Sequence, residues 1–160
     1  FVMKIIIDKK KIYLLVFLIS IFSIFSAIYI EFILGIKPCV LCLYQRVPYI
    51  IAVFICFFGY YNKNFFWIYF ILLTFLVSVV LSSYHLGIEN NIFQEFSGCS
   101  NKNINLIDKD ELLKSLSFSR PNCKDISFKI FGLSLAAINL IISSLISVLM
   151  LVIIKYEKNR

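Results

Sequence analysis

Five cysteines are the residues of this 160-residue chain whose types and spacing could do chemistry. Cys39 and Cys42 form a Cys-x-x-Cys motif directly after Pro38, and proline favours the first turn of a helix. A helix N-terminus lowers the pKa of a thiol, and the two-residue spacer lets the same two sulfurs form and break a disulfide. The motif therefore predicts a redox-active dithiol at the start of a helix.

The remaining cysteines are Cys56, Cys99 and Cys123. Without Cys56, four cysteines allow three pairings, and the natural ones are Cys39 with Cys42 and Cys99 with Cys123. Taken alone, the second pair is more typical of a static disulfide that clamps a loop in an oxidising compartment. A zinc site made by all four is disfavoured because 23 residues separate the second pair and no loop histidine accompanies it, so we expect no metal. Cys56 lies within an apolar stretch and is expected to be an inert buried thiol.

Two further side chains are candidates for the same site. Arg46 follows Cys42 by four residues, which places both on one helix face, and a charge next to hydrocarbon is a functional candidate by default. It could stabilise a Cys42 thiolate, or it could merely extend its charge to the lipid headgroups. His85 is the only histidine and could relay protons, although an interfacial histidine wetted by headgroups is the favoured interpretation.

The elements that position these residues are predicted to be membrane helices. The chain is 61% hydrophobic with a mean hydropathy of +0.91, which is far more apolar than a soluble domain. A bilayer crossing needs about 20 apolar residues. Four stretches meet this requirement, and Arg46 is their only charged residue: Ile12–Ile30, Cys39–Tyr61, Phe65–Tyr84 and Ile130–Ile154.

These stretches predict an all-α membrane protein, a four-transmembrane-helix bundle that forms a single domain. The helices are expected at about 12–34, 39–61, 65–86 and 130–154, with a long outer loop at about 87–129. Within that loop, residues 106–116 predict a short amphipathic helix, which lies on the membrane surface or packs on the bundle. The first stretch is 19 residues long, too long for a cleaved signal, and is interpreted as a retained anchor. Pro48 predicts a kink in the second helix.

The distribution of charge predicts the orientation of the bundle. The side that holds both termini carries eight basic and two acidic residues, whereas the other side carries eight basic and seven acidic residues. Because short cytoplasmic loops are enriched in Lys and Arg, both termini are expected in the cytoplasm and the two cysteine pairs outside. This asymmetry accounts for the net charge of +7 without a nucleic-acid partner.

The sequence resembles a known family, disulfide bond formation protein B (DsbB), the quinone-linked oxidase of the bacterial inner membrane. The nine residues Pro38–Arg46, which open the second membrane helix, are similar to its signature. The same family pattern is found in Tyr84–Gly87 with Glu89, Gly98-Cys99, Cys123–Asp125 and Phe131–Ala136. The combined spacing is specific, whereas an isolated Cys-x-x-Cys would not be.

The resemblance implies a relay of electrons through two redox-active disulfides. A periplasmic thioredoxin-fold partner of the DsbA type would attack Cys99 of the Cys99–Cys123 disulfide, and the electrons would pass to Cys39–Cys42 and then to ubiquinone or menaquinone. By the same resemblance Cys42 would contact the quinone as a thiolate, with Arg46 favouring the charged state and His85 as a weaker ligand candidate. The protein is expected to act as a monomer in the bacterial inner membrane, in contact with lipid and quinone.

Two rival functions make different predictions. Enzymes of the vitamin K epoxide reductase type share a helical bundle and a membrane Cys-x-x-Cys, but their loop pair precedes that motif, whereas here Cys99 and Cys123 follow it. A structural membrane protein with static disulfides would keep Cys39 and Cys42 permanently oxidised. It would also tolerate lysine in place of Arg46.

Overall fold

The computed structural model describes residues 9–62, 64–94, 122–124, 129–130 and 132–159. Within these residues, four helices are long and apolar enough to cross a membrane, the second being Val40–Asn62. The elements in chain order are α1 Lys9–Phe32, α2 Val40–Tyr44, α3 Arg46–Asn62, α4 Phe66–Glu89, β1 Lys129–Ile130, β2 Leu133–Ser134 and α5 Leu135–Lys158. The predicted fold class, a four-helix membrane protein, is confirmed.

The outer surfaces of the helices are apolar and face outward from the bundle. Phe22 and Phe32 of α1 are 74% and 76% exposed, and Leu145 of α5 is 65% exposed. Such surfaces would be unfavourable in water, but they suit lipid, which is as apolar as the side chains themselves. Their side chains therefore contact lipid, and the packing between helices depends on other residues.

Small residues lie at the contacts between helices. Ala52, Ser78 and Ser143 are fully buried, and a Cβ at Gly59 would lie 2.6 Å from Cε1 of Tyr13. Small side chains let helix backbones approach closely, which strengthens dispersion contacts where lipid offers no hydrophobic driving force. Gly59 thus sets the close approach of α3 to α1.

The main packed pairs are α1 with α3, α4 with α5, and α3 with α4. At the end where α1 begins and α5 finishes, Lys9 and Glu157 form an ion pair of 3.2 Å. Near the same end, the Tyr13 hydroxyl donates to the carbonyl of Asn64 at 2.8 Å. The opposite end, where α1 finishes and α2 starts, is called the cysteine end below.

A buried polar network joins α3, α4 and α5 in the middle of the bundle. The Tyr49 hydroxyl donates to Oδ1 of Asn139 at 2.5 Å, and Nδ2 of Asn139 donates to the Ser82 hydroxyl at 2.7 Å. The hydroxyls of Ser78 and Ser143 are 2.8 Å apart. Hydrogen bonds between membrane helices are worth roughly 0.6–2 kcal/mol each, so this network stabilises one relative rotation of the three helices.

The second span is interrupted at Gln45, which lies between α2 and α3. Pro48 explains the interruption, because it has no N–H to donate to the carbonyl of Tyr44 and its ring crowds that carbonyl. The interruption lies in the part of the span where the kink is predicted.

The chain before α5 forms a short hairpin. Lys129 pairs with Ser134 and Ile130 pairs with Leu133, in antiparallel register, and Gly132 between the strands has a φ of 83°. Ser134 then caps α5 by accepting a hydrogen bond from the backbone N–H of Ala137 at 3.2 Å. The last helix thus begins at Leu135, later than its apolar stretch. The amphipathic helix predicted at 106–116 lies outside the described residues.

Candidate active site

Cys39 and Cys42 lie side by side at the start of α2. Cys39 is the N-cap, with an extended backbone at φ −69° and ψ 170°, and its sulfur accepts a hydrogen bond from the backbone N–H of Cys42 at 3.3 Å. The two Sγ atoms are 2.9 Å apart, and both cysteines are free. The two sulfurs are not bonded to each other in this structure, and the Cys39–Cys42 disulfide stays a prediction.

His85 reaches the pair from α4. Its Nε2 lies 3.6 Å from the Cys39 sulfur, its Nδ1 lies 3.1 Å from Nε2 of Gln45, and the residue is only 3% exposed. The interpretation of His85 as a headgroup-wetted residue is wrong, because α4 continues to Glu89 and holds the ring inside the bundle. A Gln45 amide that donates to Nδ1 leaves the imidazole proton on Nε2, directed at the Cys39 sulfur.

Glu89 lies one helical turn after His85, with its Oε1 3.8 Å from Nε2 of the ring and its side chain 7% exposed. The sequence had marked Glu89 only as part of a family resemblance, and it had assigned Gln45 no role. Gln45 follows Cys42 by three residues, so helical spacing was the one signal that placed it near the pair.

Arg46 is paired with Glu31, the residue that precedes the end of α1. The guanidinium Nη1 and the carboxylate Oε2 are 2.5 Å apart, and the two side chains are 22% and 28% exposed. Such a charge-assisted hydrogen bond neutralises two charges at the edge of hydrocarbon and fixes the direction of the guanidinium. Arg46 therefore does not simply extend toward the headgroups. The sequence feature that could have indicated a role for Glu31 is the position of its carboxylate directly after an uncharged stretch of 19 residues.

A cavity of about 300 Å³ opens between the helices at the cysteine end. Its polar lining is Ser23, Ser26, Lys37, Cys39, Cys42, Gln45, Arg46, Tyr49, His85, Glu89 and Asn139. Much of the remaining lining is apolar and comes from α1 and α5, including Ile24, Ala27, Ile138 and Ile142. An apolar cavity with a few convergent polar groups is typical of a small-molecule site, and this volume is at the lower end for such sites. Cys39, Cys42, Arg46 and His85 are thus brought together around one cavity.

The loop cysteine Cys123 reaches the same end of the bundle. It is 1% exposed, it is disulfide-bonded, and it belongs to one buried cluster with Cys39, Leu41 and Ile88. Cys99 lies outside the described residues, so the Cys99–Cys123 pairing stays a prediction. Cys56 is 1% exposed, far along α3 in the main apolar core, as expected of an inert thiol.

The lowered pKa in this site belongs to Cys39, whereas the expected thiolate was Cys42. The hydrogen bond from the Cys42 thiol lowers the pKa of Cys39 to about 4, and contacts with His85 lower it further against the opposing effect of burial. The N–H of Cys42 at the helix start also directs positive charge at this sulfur. These contacts favour the thiolate form of Cys39 in the reduced pair.

This charge predicts the pH dependence of alkylation at Cys39. In chelator-treated, reduced protein, the rate with iodoacetamide should stay nearly constant from about pH 9 down to about pH 5, because the thiolate persists there. An ordinary thiol would lose about tenfold per pH unit below its pKa. The measurement is mass spectrometry of the peptide that contains Cys39, with Cys42→Ala as the comparison, whose rate should fall with pH. A tenfold fall per unit in the wild type below pH 8 would contradict the assignment.

Comparisons with known proteins agree with this arrangement. Residues 9–153 match the model of the family described as disulfide bond formation protein DsbB. The chain is also 30% identical over 158 residues to the uncharacterized protein RP370 of Rickettsia prowazekii (strain Madrid E), covering 95% of this chain and 92% of that protein. The family match spans most of the chain and includes the cysteine motif, the cavity, the first three membrane helices and most of the fourth. The chain therefore belongs to the disulfide bond formation protein DsbB family, whose members are membrane oxidoreductases of disulfide-bond formation.

Proposed function

We propose that this protein reoxidises a periplasmic, DsbA-like thioredoxin-fold partner and passes the electrons to a membrane quinone, either ubiquinone or menaquinone. The observation that carries the proposal is the convergence of the Cys39/Cys42 dithiol, His85 and Arg46 on one largely apolar cavity. The proposed orientation has both termini in the cytoplasm and the cysteine end at the periplasmic face, which the excess of basic residues beside the termini supports.

The first part of the reaction is thiol–disulfide exchange in the loop. A partner thiolate attacks Cys99 of a Cys99–Cys123 disulfide, and a second partner thiol displaces Cys99, so that the partner becomes a disulfide and the loop pair becomes two thiols. A loop thiolate then attacks Cys39 of the oxidised Cys39–Cys42 pair, and Cys42 leaves as a thiolate. The second loop thiol displaces Cys39 from this mixed disulfide, so that the loop disulfide reforms and Cys39 and Cys42 become two thiols. The burial of Cys123 in one cluster with Cys39 supports this second exchange.

The second part of the reaction takes place at the cavity. A bound quinone supplies an acceptor for two electrons and two protons, which is what two thiols release when they close to a disulfide. Cys42 and Arg46 line the cavity and would hold the ring on its polar side, while the apolar side chains of α1 and α5 exclude water. His85, oriented by Gln45, holds a proton at Nε2 beside the Cys39 sulfur and can receive or return it as that thiol changes state.

A structural protein with static disulfides fits the site less well. That function requires only a permanent bond between Cys39 and Cys42. It gives no reason for a buried imidazole to contact one of the two sulfurs.

The test is direct measurement of electron flow in the purified, detergent-solubilised protein. We expect a reduced thioredoxin-fold partner to drive the loss of quinone absorbance, with one quinone consumed for each partner disulfide detected by mass spectrometry. Cys99→Ser should stop flow from the partner, and Cys56→Ala should leave it unchanged. The proposal is overturned if neither quinone is consumed above the protein-free rate while the partner stays reduced.

A further inference from the structure

We propose that the reduced site binds a thiophilic divalent cation, Zn²⁺ or Cd²⁺, through Cys39, Cys42 and His85, and that binding blocks electron transfer. The Sγ atoms of the two cysteines and a ring nitrogen of His85 all lie within 4.8 Å of one another. Thiolate sulfur and imidazole nitrogen are the ligands that these cations prefer. Binding is independent of the proposed function, whereas the blocking effect rests on it.

The separations of the Cys39 sulfur from the two other ligand atoms fit a tetrahedral ion after a small adjustment, and the third separation is at most 4.8 Å. Zn–S bonds of about 2.3 Å and Zn–N bonds of about 2.0–2.1 Å place ligand atoms roughly 3.5–3.8 Å apart. The observed separation between the Cys39 sulfur and Nε2 of His85 is 3.6 Å, within that range. The two sulfurs are 2.9 Å apart and must separate by about 1 Å, losing the hydrogen bond between them and each gaining a bond to the metal.

The surroundings also meet the requirements of a metal-bound histidine. Such a ring ligates through one nitrogen and donates the N–H of the other to an acceptor. Gln45 lies 3.1 Å from Nδ1 of His85, and exchanging its amide oxygen and nitrogen turns the oxygen toward that N–H. The lone pair of Nε2 then faces the two sulfurs.

Charge balance favours this ion in an apolar cavity. Two thiolates neutralise one divalent cation, and binding displaces the thiol proton that the reduced pair still holds, without any change in oxidation state. The neutral unit suits the cavity: of the charged side chains that line it, Arg46 is paired with Glu31, and Lys37 and Glu89 supply one charge of each sign. A molecule from the cavity, such as water, completes the fourth position.

The cation and the disulfide exclude each other. A sulfur bonded to the other sulfur is no longer a thiolate ligand, so only the reduced protein binds. A bound cation in turn holds both sulfurs away from thiol exchange. Zinc was disfavoured from the sequence because no histidine accompanies the cysteines in the loop. His85 lies instead on α4, 43 positions after Cys42 along the chain.

The test uses Cd²⁺ alone, added to fully reduced protein in detergent without quinone or partner. We expect one ion per chain, detected by the ultraviolet absorbance of cadmium bound to thiolate and by calorimetry, with Zn²⁺ competing for the site. Cys42→Ser should abolish this binding, and His85→Gln should weaken it roughly a hundredfold or more. Cys56→Ala and Cys99→Ser should keep it, which separates the site from the other thiols.

Two comparisons make the result decisive. Gln45→Ala alters only the residue that orients the ring, and it should weaken binding roughly tenfold. Circular dichroism of every variant establishes that the helices are intact. Binding by the oxidised protein, or equal affinity in wild type, His85→Gln and Gln45→Ala, would overturn the site.

A separate experiment tests whether the bound cation blocks electron transfer. Its result does not bear on whether the cation binds at Cys39, Cys42 and His85. Zn²⁺ should slow thiol-driven quinone reduction, and a chelator should restore it. Because cadmium binding is read without quinone, failure of the proposed function leaves the binding result intact. If Zn²⁺ binds but leaves quinone reduction unchanged, the blocking effect is wrong.

Discussion

Replacement of Cys42 by serine is expected to reduce thiol-driven quinone reduction to the rate measured without protein. Serine keeps the size of the side chain, but its hydroxyl cannot form a disulfide with Cys39, so the dithiol can no longer give up two electrons. The Cys39 thiolate remains and can exchange with a loop disulfide that contains Cys123, which lies in the same buried cluster. A peptide in which Cys39 is joined to Cys123 should then accumulate, and mass spectrometry without reductant measures it.

The matched control for this variant is Cys56→Ser. It makes the same chemical change in the same membrane span, at a thiol buried in the apolar core, away from the cavity. We expect normal quinone reduction and at most a modest loss of stability, about 1 kcal/mol. If Cys42→Ser retained a tenth or more of wild-type activity, Cys42 would not be part of the working dithiol.

The second large effect is expected for Arg46→Met. Methionine fills a similar volume but removes the positive charge and the hydrogen-bond donors from the cavity wall. Loss of one such group typically costs about 10²-fold or more in rate, so quinone reduction should slow by roughly that factor. Thiol exchange with the partner should change little, because Arg46 lies on the cavity and not in the cluster around Cys123. Single-turnover absorbance of quinone and mass spectrometry of the partner measure the two steps separately.

Glu31→Gln distinguishes a direct role of Arg46 from a structural one. If the arginine serves only to neutralise Glu31, loss of the carboxylate charge should impair the protein as much as loss of the arginine. If Arg46 acts on the ligand of the cavity, Glu31→Gln should keep most of the activity and Arg46→Lys should restore part of it. Equal losses of activity in Glu31→Gln and Arg46→Met would contradict a direct role of Arg46.

The sequence predicted the membrane helices well because each depends on a local property. Twenty apolar residues cross a bilayer whatever the rest of the chain does, and Pro48 interrupts a helix through its own missing N–H. The proximity of the Cys-x-x-Cys motif to Arg46 could also be predicted from the local sequence, since all three side chains lie within about two helical turns of one another. Ser134 as the cap of α5 was missed because the apolar stretch runs on without a break through the hairpin.

The contacts between helices could not be predicted in this way. The spans are apolar on every side, so their composition carries little information about which face turns inward. The pairing of Arg46 with Glu31 and the contact of His85 with Cys39 both depend on that rotation. His85 was misjudged for this reason: its place near a helix end suggested water, whereas the neighbouring helices enclose it.

The pairing of the helices has a consequence for how an acceptor reaches the dithiol. The cavity is lined by both α1 and α5, yet the main contacts of these helices are with α3 and α4 and not with each other. An opening between α1 and α5 would let the isoprenoid chain of the proposed quinone stay among the acyl chains while its ring docks. Exchange of oxidised for reduced quinone would then proceed by two-dimensional diffusion within the bilayer, independently of aqueous solubility.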